Sequence, residues 1–201
     1  MGKIKVIFFD IGGVYIKSSG RSAVTAVSNI LNKDFDEVRN VFVEIWDDFA
    51  IGRMSEEDYY KNLTLRLGID AKTMAEIWTS EEMFSRNIEV ELIITELKKK
   101  GYTVATITDV DPVHLKIHME KGTYKIFEYV IDSVNAKSTK SSGKDIYEKA
   151  LKMANLKPGE CIMIDDTPKK LIAARELGIN TILFEDAEKL KEDLNAFGVE
   201  I

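Results

Sequence analysis

Three aspartates follow two short apolar segments that lie near opposite ends of the chain. Asp10 comes directly after the apolar residues 6–9, and Asp165 and Asp166 come directly after the apolar residues 161–164. In an open parallel sheet, ligands bind outside the carboxyl ends of the strands. If both segments are strands of such a sheet, the three carboxylates face one crevice and form a candidate active site.

Clustered carboxylates need a counter-charge, because they repel one another and raise one another's pKa values. A hard divalent cation would hold them ionised and make the cluster a binding site. Mg²⁺ suits this role because it prefers oxygen ligands and keeps waters that phosphate oxygens can replace. The three acids therefore predict a Mg²⁺-dependent site and phosphoryl chemistry.

A carboxylate that attacks a phosphate dianion also needs a fixed cation and hydrogen-bond donors near the transferred group. Thr108 ends a second apolar segment, so that its hydroxyl and the following backbone N–H should lie at the same rim. Lys140 follows a third such segment. These two residues are the candidates for contacts with the phosphate.

The pattern of elements predicts an α/β fold with a doubly wound parallel sheet. Helical patterns alternate with apolar segments rich in Val, Ile, Phe or Thr, which predict strands at residues 3–9, 102–108, 128–133, 161–165 and 180–184. A helix is predicted from Asn87 to Lys100, ending at Gly101, and another begins at Thr167-Pro168 with Thr167 as its cap.

A second, purely helical unit is predicted between the first two strands. Amphipathic patterns indicate helices at 21–31, 34–50, 55–67 and 71–83, with Ser55 at the start of the third. The whole connection is far longer than an ordinary crossover. We therefore predict a Rossmann-like core of residues 1–14 and 87–201 and a helical cap of residues 15–86 above the strand ends.

Within the cap, the large apolar side chains are predicted to pack against one another, with one of them able to reach a substrate; they are Phe42, Trp46, Trp78 and Met83. Tyr15, Lys17 and Arg53 are candidates for contacts at the cap or the entrance. His114 and His118 stand four residues apart, a spacing that can bind zinc, but no third ligand is near them in sequence. We expect them on a solvated helix face.

Composition favours a small-molecule partner. The 201 residues carry a net charge of −6 with both signs interleaved, which gives no basic face for nucleic acid and no polybasic segment for a membrane. No apolar stretch approaches the roughly 20 residues of a membrane span. We expect a cytoplasmic protein in which the single cysteine, Cys161, is a buried hydrophobe; whether it forms a homo-oligomer stays open.

Four motifs, in order along nearly the whole chain, resemble those of the haloacid dehalogenase superfamily of aspartyl-phosphate phosphohydrolases, in the branch with a helical cap after the first strand. The matching segments are Phe8-Phe9-Asp10-Ile11-Gly12-Gly13-Val14, Thr108-Asp109, Lys140, and Ile164-Asp165-Asp166-Thr167-Pro168 with Ala173-Ala174 and Leu177-Gly178. The first is of the Asp-x-Gly-Gly-Val type, and Gly52-Arg53-Met54-Ser55 in the cap resembles relatives with that motif. Each motif is short and weak evidence alone. Because the four occur in order and at predicted strand ends, their combination is far more specific.

The resemblance implies a role for each residue of the motifs. Asp10 would attack phosphorus and form an aspartyl-phosphate. Thr108, Asp109 and Lys140 would hold the phosphate, with Lys140 also catalytic. Mg²⁺ would bind Asp10, the Gly12 carbonyl and Asp166, with Asp165 helping directly or through a water. Most relatives have proline after the motif lysine where this chain has Ser141, so that Lys137 is a rival for Lys140.

Gly12 is the main departure from the family pattern. A second aspartate commonly stands there, protonates the leaving group and later activates water, and glycine can do neither. General acid–base help is typically worth about 10²- to 10⁴-fold, so its loss should slow the reaction without abolishing it. We expect anomeric, acyl or aryl phosphates to react better than phosphates of ordinary primary alcohols.

The sequence therefore predicts a Mg²⁺-dependent phosphatase acting on a small phosphorylated metabolite. A catalytically weak or inactive relative that binds a phosphate ligand or a protein partner is the alternative, because of Gly12 and Asp109 and because Lys140 lacks the following proline. A phospho-receiver is disfavoured because its acidic pair would lie at the first strand. Metal-free dehalogenation is disfavoured by the pair Asp165-Asp166.

Overall fold

A five-stranded parallel sheet forms the centre of the computed structural model, which describes residues 3–18 and 20–201. The strands are β1 (Val6–Phe9), β2 (Thr103–Thr108), β3 (Val130–Asp132), β4 (Cys161–Asp165) and β5 (Asn180–Leu183). Their order across the sheet is β3-β2-β1-β4-β5. The predicted doubly wound α/β fold is confirmed, with several strands shorter than predicted at their ends.

The strand order explains how distant aspartates meet. β1 lies between β2 and β4, and Phe9 of β1 pairs in register with Ile164 of β4. The residues that follow, Asp10 and Asp165, therefore stand at the same level on neighbouring strands. The chain turns to opposite sides of the sheet at β1, and such a switch point opens a crevice at the carboxyl ends of the strands.

Helices cover both faces of the sheet. They are α5 (Ile88–Lys99), α6 (Pro112–Lys121), α7 (Ser133–Ala136), α8 (Asp145–Ala154), α9 (Ile172–Glu176) and α10 (Ala187–Ala196). Alternate strand residues point to opposite faces, so that Ile7 and Phe9 lie in one apolar cluster and Phe8 in the other. Cys161 is fully buried in the second cluster, as predicted, and burial raises the pKa of its thiol to about 12.

Four helices lie between β1 and α5, as predicted. They are α1 (Gly20–Leu31), α2 (Phe35–Ala50), α3 (Glu56–Leu67) and α4 (Ala71–Trp78). The Ser55 hydroxyl accepts a hydrogen bond from the backbone N–H of Asp58 and so caps α3. The predicted extension of the fourth helix to residue 83 is wrong: α4 ends at Trp78, and a 3₁₀ turn spans Glu81–Phe84. The Thr79 hydroxyl bonds to the Ala75 carbonyl, a local bond that competes with helix continuation.

These four helices have an apolar core of their own, distinct from the two clusters on the sheet. At its centre the rings of Phe49 and Tyr59 stack with centroids 4.0 Å apart, and Tyr59 also packs against Trp78. Shared burial of large aromatic rings stabilises such a unit strongly. We refer to α1–α4 and the following 3₁₀ turn as the cap.

Polar contacts join the cap to the rest of the molecule. The buried hydroxyl of Ser133 lies 2.7 Å from the Ala50 carbonyl oxygen, and the Lys137 ammonium donates to the Ile51 carbonyl oxygen at 3.0 Å. Both acceptors lie at the carboxyl end of α2, which is thereby held over the loops that follow β2 and β3. Within the described residues, no helix has the length and apolar character needed to cross a membrane.

The two histidines of α6 are buried against the cap, so their predicted position on a solvated face is wrong. His114 is 8% exposed and His118 is 5% exposed. The Nδ1 atom of His114 lies 2.7 Å from a carboxylate oxygen of Asp111, and its Nε2 atom lies 2.7 Å from the Trp78 carbonyl oxygen. The helical pattern of α6 alone gave no sign that the cap would cover this side.

The charge states of these histidines follow from their surroundings. Both neighbours of the His114 ring are oxygen acceptors, an arrangement that favours the protonated form of the ring. Burial by itself lowers the pKa of His114, but Asp111 and the Trp78 carbonyl outweigh burial and raise it. Burial, together with the charge on His114, lowers the pKa of His118 to about 4.

We predict that His118 makes stability fall in mild acid. Between the unfolded pKa of about 6.5 and the folded value of about 4, the unfolded chain binds a proton at His118 that the folded chain does not. The free energy of unfolding should therefore decrease as the pH falls through this range, by at most about 3 kcal/mol from this residue. Urea unfolding at several pH values should show a shallower decrease for His118→Gln; an unchanged slope would contradict the prediction. His114, whose pKa is raised, acts oppositely, and its contribution is lost as the pH rises above 6.5.

Candidate active site

Asp10 lies at the carboxyl end of β1 with its side chain only 2% exposed. Its Oδ1 atom accepts a hydrogen bond from the Ile11 backbone N–H at 2.7 Å and lies 2.8 Å from the Lys140 ammonium. Among the described residues, no donor forms a hydrogen bond to its Oδ2 atom. Burial alone would raise the pKa of Asp10, but Lys140 and Lys170 outweigh burial and lower it. Asp10 is therefore an ionised carboxylate with one oxygen held and the other available.

Lys140 is the lysine that the structure brings to Asp10. Its side chain is fully buried, and its ammonium donates to the Asp165 carboxylate at 2.5 Å as well as contacting Asp10. Burial alone would lower the pKa of this lysine, but the two carboxylates reverse the effect and raise it. Lys137, the rival from sequence, bonds to the cap instead.

The acidic pair at the end of β4 divides into two environments. Asp165 is fully buried, and its two oxygens accept from the Thr167 backbone N–H at 2.9 Å and from Lys140. Burial and the nearby charge of Asp10 raise the pKa of Asp165 to about 7. Asp166 is partly exposed and accepts from the Thr167 hydroxyl at 3.1 Å. The predicted capping role of the Thr167 side chain is wrong, because this hydroxyl bonds to Asp166.

The three acids fit a divalent cation. One carboxylate oxygen from each of Asp10, Asp165 and Asp166 lies within 4.8 Å of the others. An all-oxygen set of acids suits Mg²⁺ rather than a softer metal. Gly12 lies on the turn after Asp10 and lines the same cavity, and its carbonyl stays a predicted ligand.

Gly13 makes room for Asp166. Its φ angle is +84°, and a Cβ atom built on it would lie 2.3 Å from a carboxylate oxygen of Asp166. Any larger residue would be strained by its backbone conformation and would also displace the acid. The second glycine of the first motif is thus explained by the close approach of β1's turn to the acidic pair.

The end of β2 supplies two of the residues predicted to bind phosphate. Thr108 is buried at the strand end and lines the cavity. Each oxygen of the Asp109 carboxylate has its own neighbour. One accepts a hydrogen bond from the Lys140 backbone N–H at 2.8 Å, and the other lies 3.6 Å from the Lys170 ammonium. The negative charge of Asp109 therefore holds the Lys140 loop, which explains how an acid is tolerated at this position.

Lys170 was missed by the sequence analysis. It lies on the 3₁₀ turn Pro168–Leu171 after β4, and its ammonium is 3.8 Å from the Asp10 Oδ2 atom. A lysine about one helical turn beyond an acidic pair can point back toward that pair, so the spacing to Asp166 was a usable signal.

A cavity of about 510 Å³ lies between the strand ends and the cap. Its floor contains Asp10, Gly12, Thr108, Asp109, Asp166 and Lys170. Its roof is mainly apolar and aromatic, formed by Val24, Phe35, Phe42, Val43, Trp46, Trp78 and Met83 together with Arg21 and Arg39. His114 and His118 also line it. The four apolar cap residues singled out from sequence therefore all reach the cavity.

The three residues predicted to make contacts at the cap or the entrance are not part of the cavity lining that the structure describes. Among the described lining residues, Tyr15, Lys17 and Arg53 do not occur. Tyr15 packs edge-on against Phe127 in the core, and Arg53 pairs with the exposed Asp48. Helix register decides which side chains face a cavity, and the sequence pattern alone did not define it.

We predict that Gly13→Ala damages the site beyond the cost of backbone strain. Gly68 has a similar φ of +81° with nothing within 4 Å of an added Cβ, so that Gly68→Ala is a matched control for strain alone. Each variant should lose about 1–2 kcal/mol of stability from its left-handed backbone. Only Gly13→Ala should also weaken Mg²⁺ binding, measured by calorimetry. Equal Mg²⁺ affinity in both variants would show that Asp166 tolerates the added methyl group.

Comparison with known proteins agrees with this site. A family model described as haloacid dehalogenase-like hydrolase matches residues 4–178. The chain is 28% identical to a glyceraldehyde 3-phosphate phosphatase of Pyrococcus furiosus, over 96% of this chain and 86% of the relative. It is 23% identical to a flavin mononucleotide hydrolase of Arabidopsis thaliana, over 99% of this chain and 80% of the relative.

Solved structures share the fold. A HAD family enzyme from Bacteroides thetaiotaomicron, in complex with magnesium and inorganic phosphate, superposes with a TM-score of 0.70 at 20% identity, covering 93% of this chain and 98% of that one. A predicted HAD-like hydrolase from Porphyromonas gingivalis superposes with a TM-score of 0.75 over the full length of both chains, also at 20% identity. From the family match across most of its length, this chain belongs to the haloacid dehalogenase-like hydrolases and is a hydrolase with phosphatase relatives.

Proposed function

We propose that the protein is a Mg²⁺-dependent phosphomonoester hydrolase that acts on a small phosphorylated metabolite through an aspartyl-phosphate. The observation that carries the proposal is the state of Asp10. This carboxylate is buried, kept ionised by lysines, and oriented through one oxygen, while its other oxygen has no hydrogen-bond donor among the described residues. A nucleophile needs such an available oxygen.

In the first step the Asp10 Oδ2 atom attacks phosphorus. A new oxygen–phosphorus bond forms, and the bond from phosphorus to the ester oxygen breaks, so that the leaving group departs with the electron pair. Lys140 keeps Asp10 ionised and aligned, and the Thr108 hydroxyl, which lines the cavity, would donate to a phosphoryl oxygen.

In the second step water attacks the phosphorus of the aspartyl-phosphate, which releases inorganic phosphate and restores Asp10. Asp10, Asp166 and the Gly12 carbonyl would hold Mg²⁺, and Asp165 positions Lys140 beside them. When bound, the ion would supply positive charge that offsets the repulsion between carboxylates and phosphate. The cap, residues 15–86 in our proposed division of the chain, would exclude water from the cavity.

The acids that line the cavity among the described residues are Asp10, Asp109 and Asp166. Asp109 is held by the Lys140 loop and lies near Lys170, and no carboxylate stands at the position of Gly12. Leaving groups therefore depart without a dedicated general acid. Together with the aromatic roof, this favours substrates whose leaving group is stable as an anion and whose body is apolar or planar.

The names of the relatives support the proposed phosphatase reaction, but they do not agree on one substrate. Their names specify glyceraldehyde 3-phosphate, flavin mononucleotide and, for a relative from Aspergillus oryzae that is 23% identical, a sesquiterpene phosphate. These molecules have a phosphate group in common and little else. The substrate of this chain is therefore proposed as a class and not as a compound.

The decisive test is turnover of a phosphomonoester panel with and without Mg²⁺. We expect activity that disappears on chelation and returns with Mg²⁺, and that falls to background in Asp10→Asn, because an amide cannot attack phosphorus. Asp48→Asn, which alters an exposed cap carboxylate, is the control and should retain activity. Turnover that survives in Asp10→Asn would refute the mechanism. Phosphate binding without any turnover would favour the alternative of a non-catalytic phosphate-binding protein, which Gly12 motivates.

We predict a steep dependence on the leaving group. Phenyl phosphate and benzyl phosphate present similar aromatic bodies to the roof, but phenolate is a far better leaving group than an alkoxide. Without an acid at residue 12, kcat/KM for the phenyl compound should exceed that for the benzyl compound by about 10²-fold or more. Gly12→Asp should narrow the difference if the added carboxyl can donate a proton. Similar kcat/KM values for both compounds in the native protein would show that another group supplies the acid.

A further inference from the structure

Two lysines approach Asp10, but only one of them faces the cavity. The Lys140 ammonium lies between Asp10 and Asp165, its side chain is fully buried, and it does not occur among the described residues that line the cavity. Lys170 lines the cavity, and its side chain is 24% exposed. The two cations therefore stand on different sides of the nucleophile.

The Lys170 ammonium lies farther from its neighbouring carboxylates than the Lys140 ammonium does. The Lys170 ammonium lies 3.8 Å from the Asp10 Oδ2 atom and 3.6 Å from the Asp109 Oδ2 atom, both longer than a hydrogen bond. The turn that carries it is anchored from below, because the Tyr147 hydroxyl donates to the Lys170 carbonyl oxygen. A phosphoryl oxygen close to the attacking Oδ2 atom would thus meet an ammonium with donors still available.

Charge balance supports the same assignment. The floor and the groups directly beneath it contain four carboxylates, Asp10, Asp109, Asp165 and Asp166, and two ammonium groups. A phosphate dianion that enters the cavity adds negative charge beside Asp10. Lys140 already contacts two carboxylates, so on the floor of the cavity the positive charge beside the attacking oxygen that faces the phosphate comes from Lys170.

We propose that Lys170 is a catalytic residue that contacts the transferring phosphoryl group, while Lys140 holds Asp10 and Asp165. This assignment rests on the proposed function and adds a contact from Lys170 to the phosphate contacts that the family resemblance implies. Lys170 forms no bond to phosphorus and transfers no proton; it stabilises charge on the phosphoryl oxygens.

A structural role is the competing explanation, because Lys170 could serve only to neutralise Asp109. The two roles separate in a double-mutant cycle made of Lys170→Met, Asp109→Asn and the double variant. If Lys170 only offsets the Asp109 charge, removal of that charge makes the lysine dispensable. If it contacts the phosphoryl group, the double variant stays impaired.

The cycle should be measured by kcat/KM and by calorimetric binding of inorganic phosphate to the Mg²⁺-loaded protein. We expect Lys170→Met to lower kcat/KM by about 10²- to 10³-fold, as for the loss of one donor to a developing anion, and to weaken phosphate binding at least tenfold. The double variant should show the same losses relative to Asp109→Asn. Lys170→Arg should recover part of both. Lys169→Met, on the exposed neighbouring residue, should change neither by more than about twofold.

Two outcomes overturn the proposal: a double variant as active as Asp109→Asn, or phosphate affinity unchanged in Lys170→Met. Thermal unfolding of each variant identifies any that is misfolded, and Lys170→Arg then supplies the comparison. Failure of the proposed function would give a different result from failure of the Lys170 contact. If the native protein binds phosphate but turns over no ester, the phosphatase proposal fails while a Lys170-dependent phosphate affinity still supports the contact. If it binds no phosphate at all, both fail.

Discussion

Repulsion between buried carboxylates is the constraint on which the rest of the site depends. Asp10 and Asp165 stand side by side on neighbouring strands, where water can do little to screen them, and Asp109 and Asp166 lie close by. The buried ammonium of Lys140 offsets the repulsion between Asp10 and Asp165, because it contacts both carboxylates. The ammonium groups of Lys140 and Lys170 face four carboxylates, so that the cluster keeps a net negative charge. The remaining negative charge is what a divalent cation would satisfy.

The architecture around the acids makes this concentration of charge tolerable. Main-chain N–H groups of Ile11 and Thr167 hold one oxygen of Asp10 and of Asp165, so that each buried carboxylate is partly solvated by backbone. The Asp109 carboxylate likewise accepts a hydrogen bond from a backbone N–H, that of Lys140, and so holds the Lys140 loop. A polar network of this kind is stable only when most of its members have partners. The Asp10 Oδ2 atom, without a hydrogen-bond donor among the described residues, is the exception, and it is the atom to which we assign the chemistry.

The cap adds a second electrostatic link, away from the chemistry. The ring of His114 lies between Asp111 of the core and the main-chain carbonyl of Trp78 at the end of a cap helix, and stacks on the Trp78 ring. The Ser133 hydroxyl makes a comparable link to Ala50. His114 and Trp78 also line the cavity, so that these two residues both hold the cap in place and bound the space beneath it.

The sequence by itself determined the parallel sheet, the four helices of the inserted unit and the placement of Asp10, Asp165 and Asp166 at strand ends. Strand patterns are local, and parallel strands align their carboxyl ends at one edge, so that residues directly after the strands share that edge. The structure alone decided which of Lys137 and Lys140 reaches Asp10, that Lys170 joins the site, and that His114 and His118 are buried. Those outcomes depend on how a loop folds back and on which side of a helix a neighbouring unit covers. Such long-range packing is set by contacts between distant segments, and the local pattern of α6 does not record it.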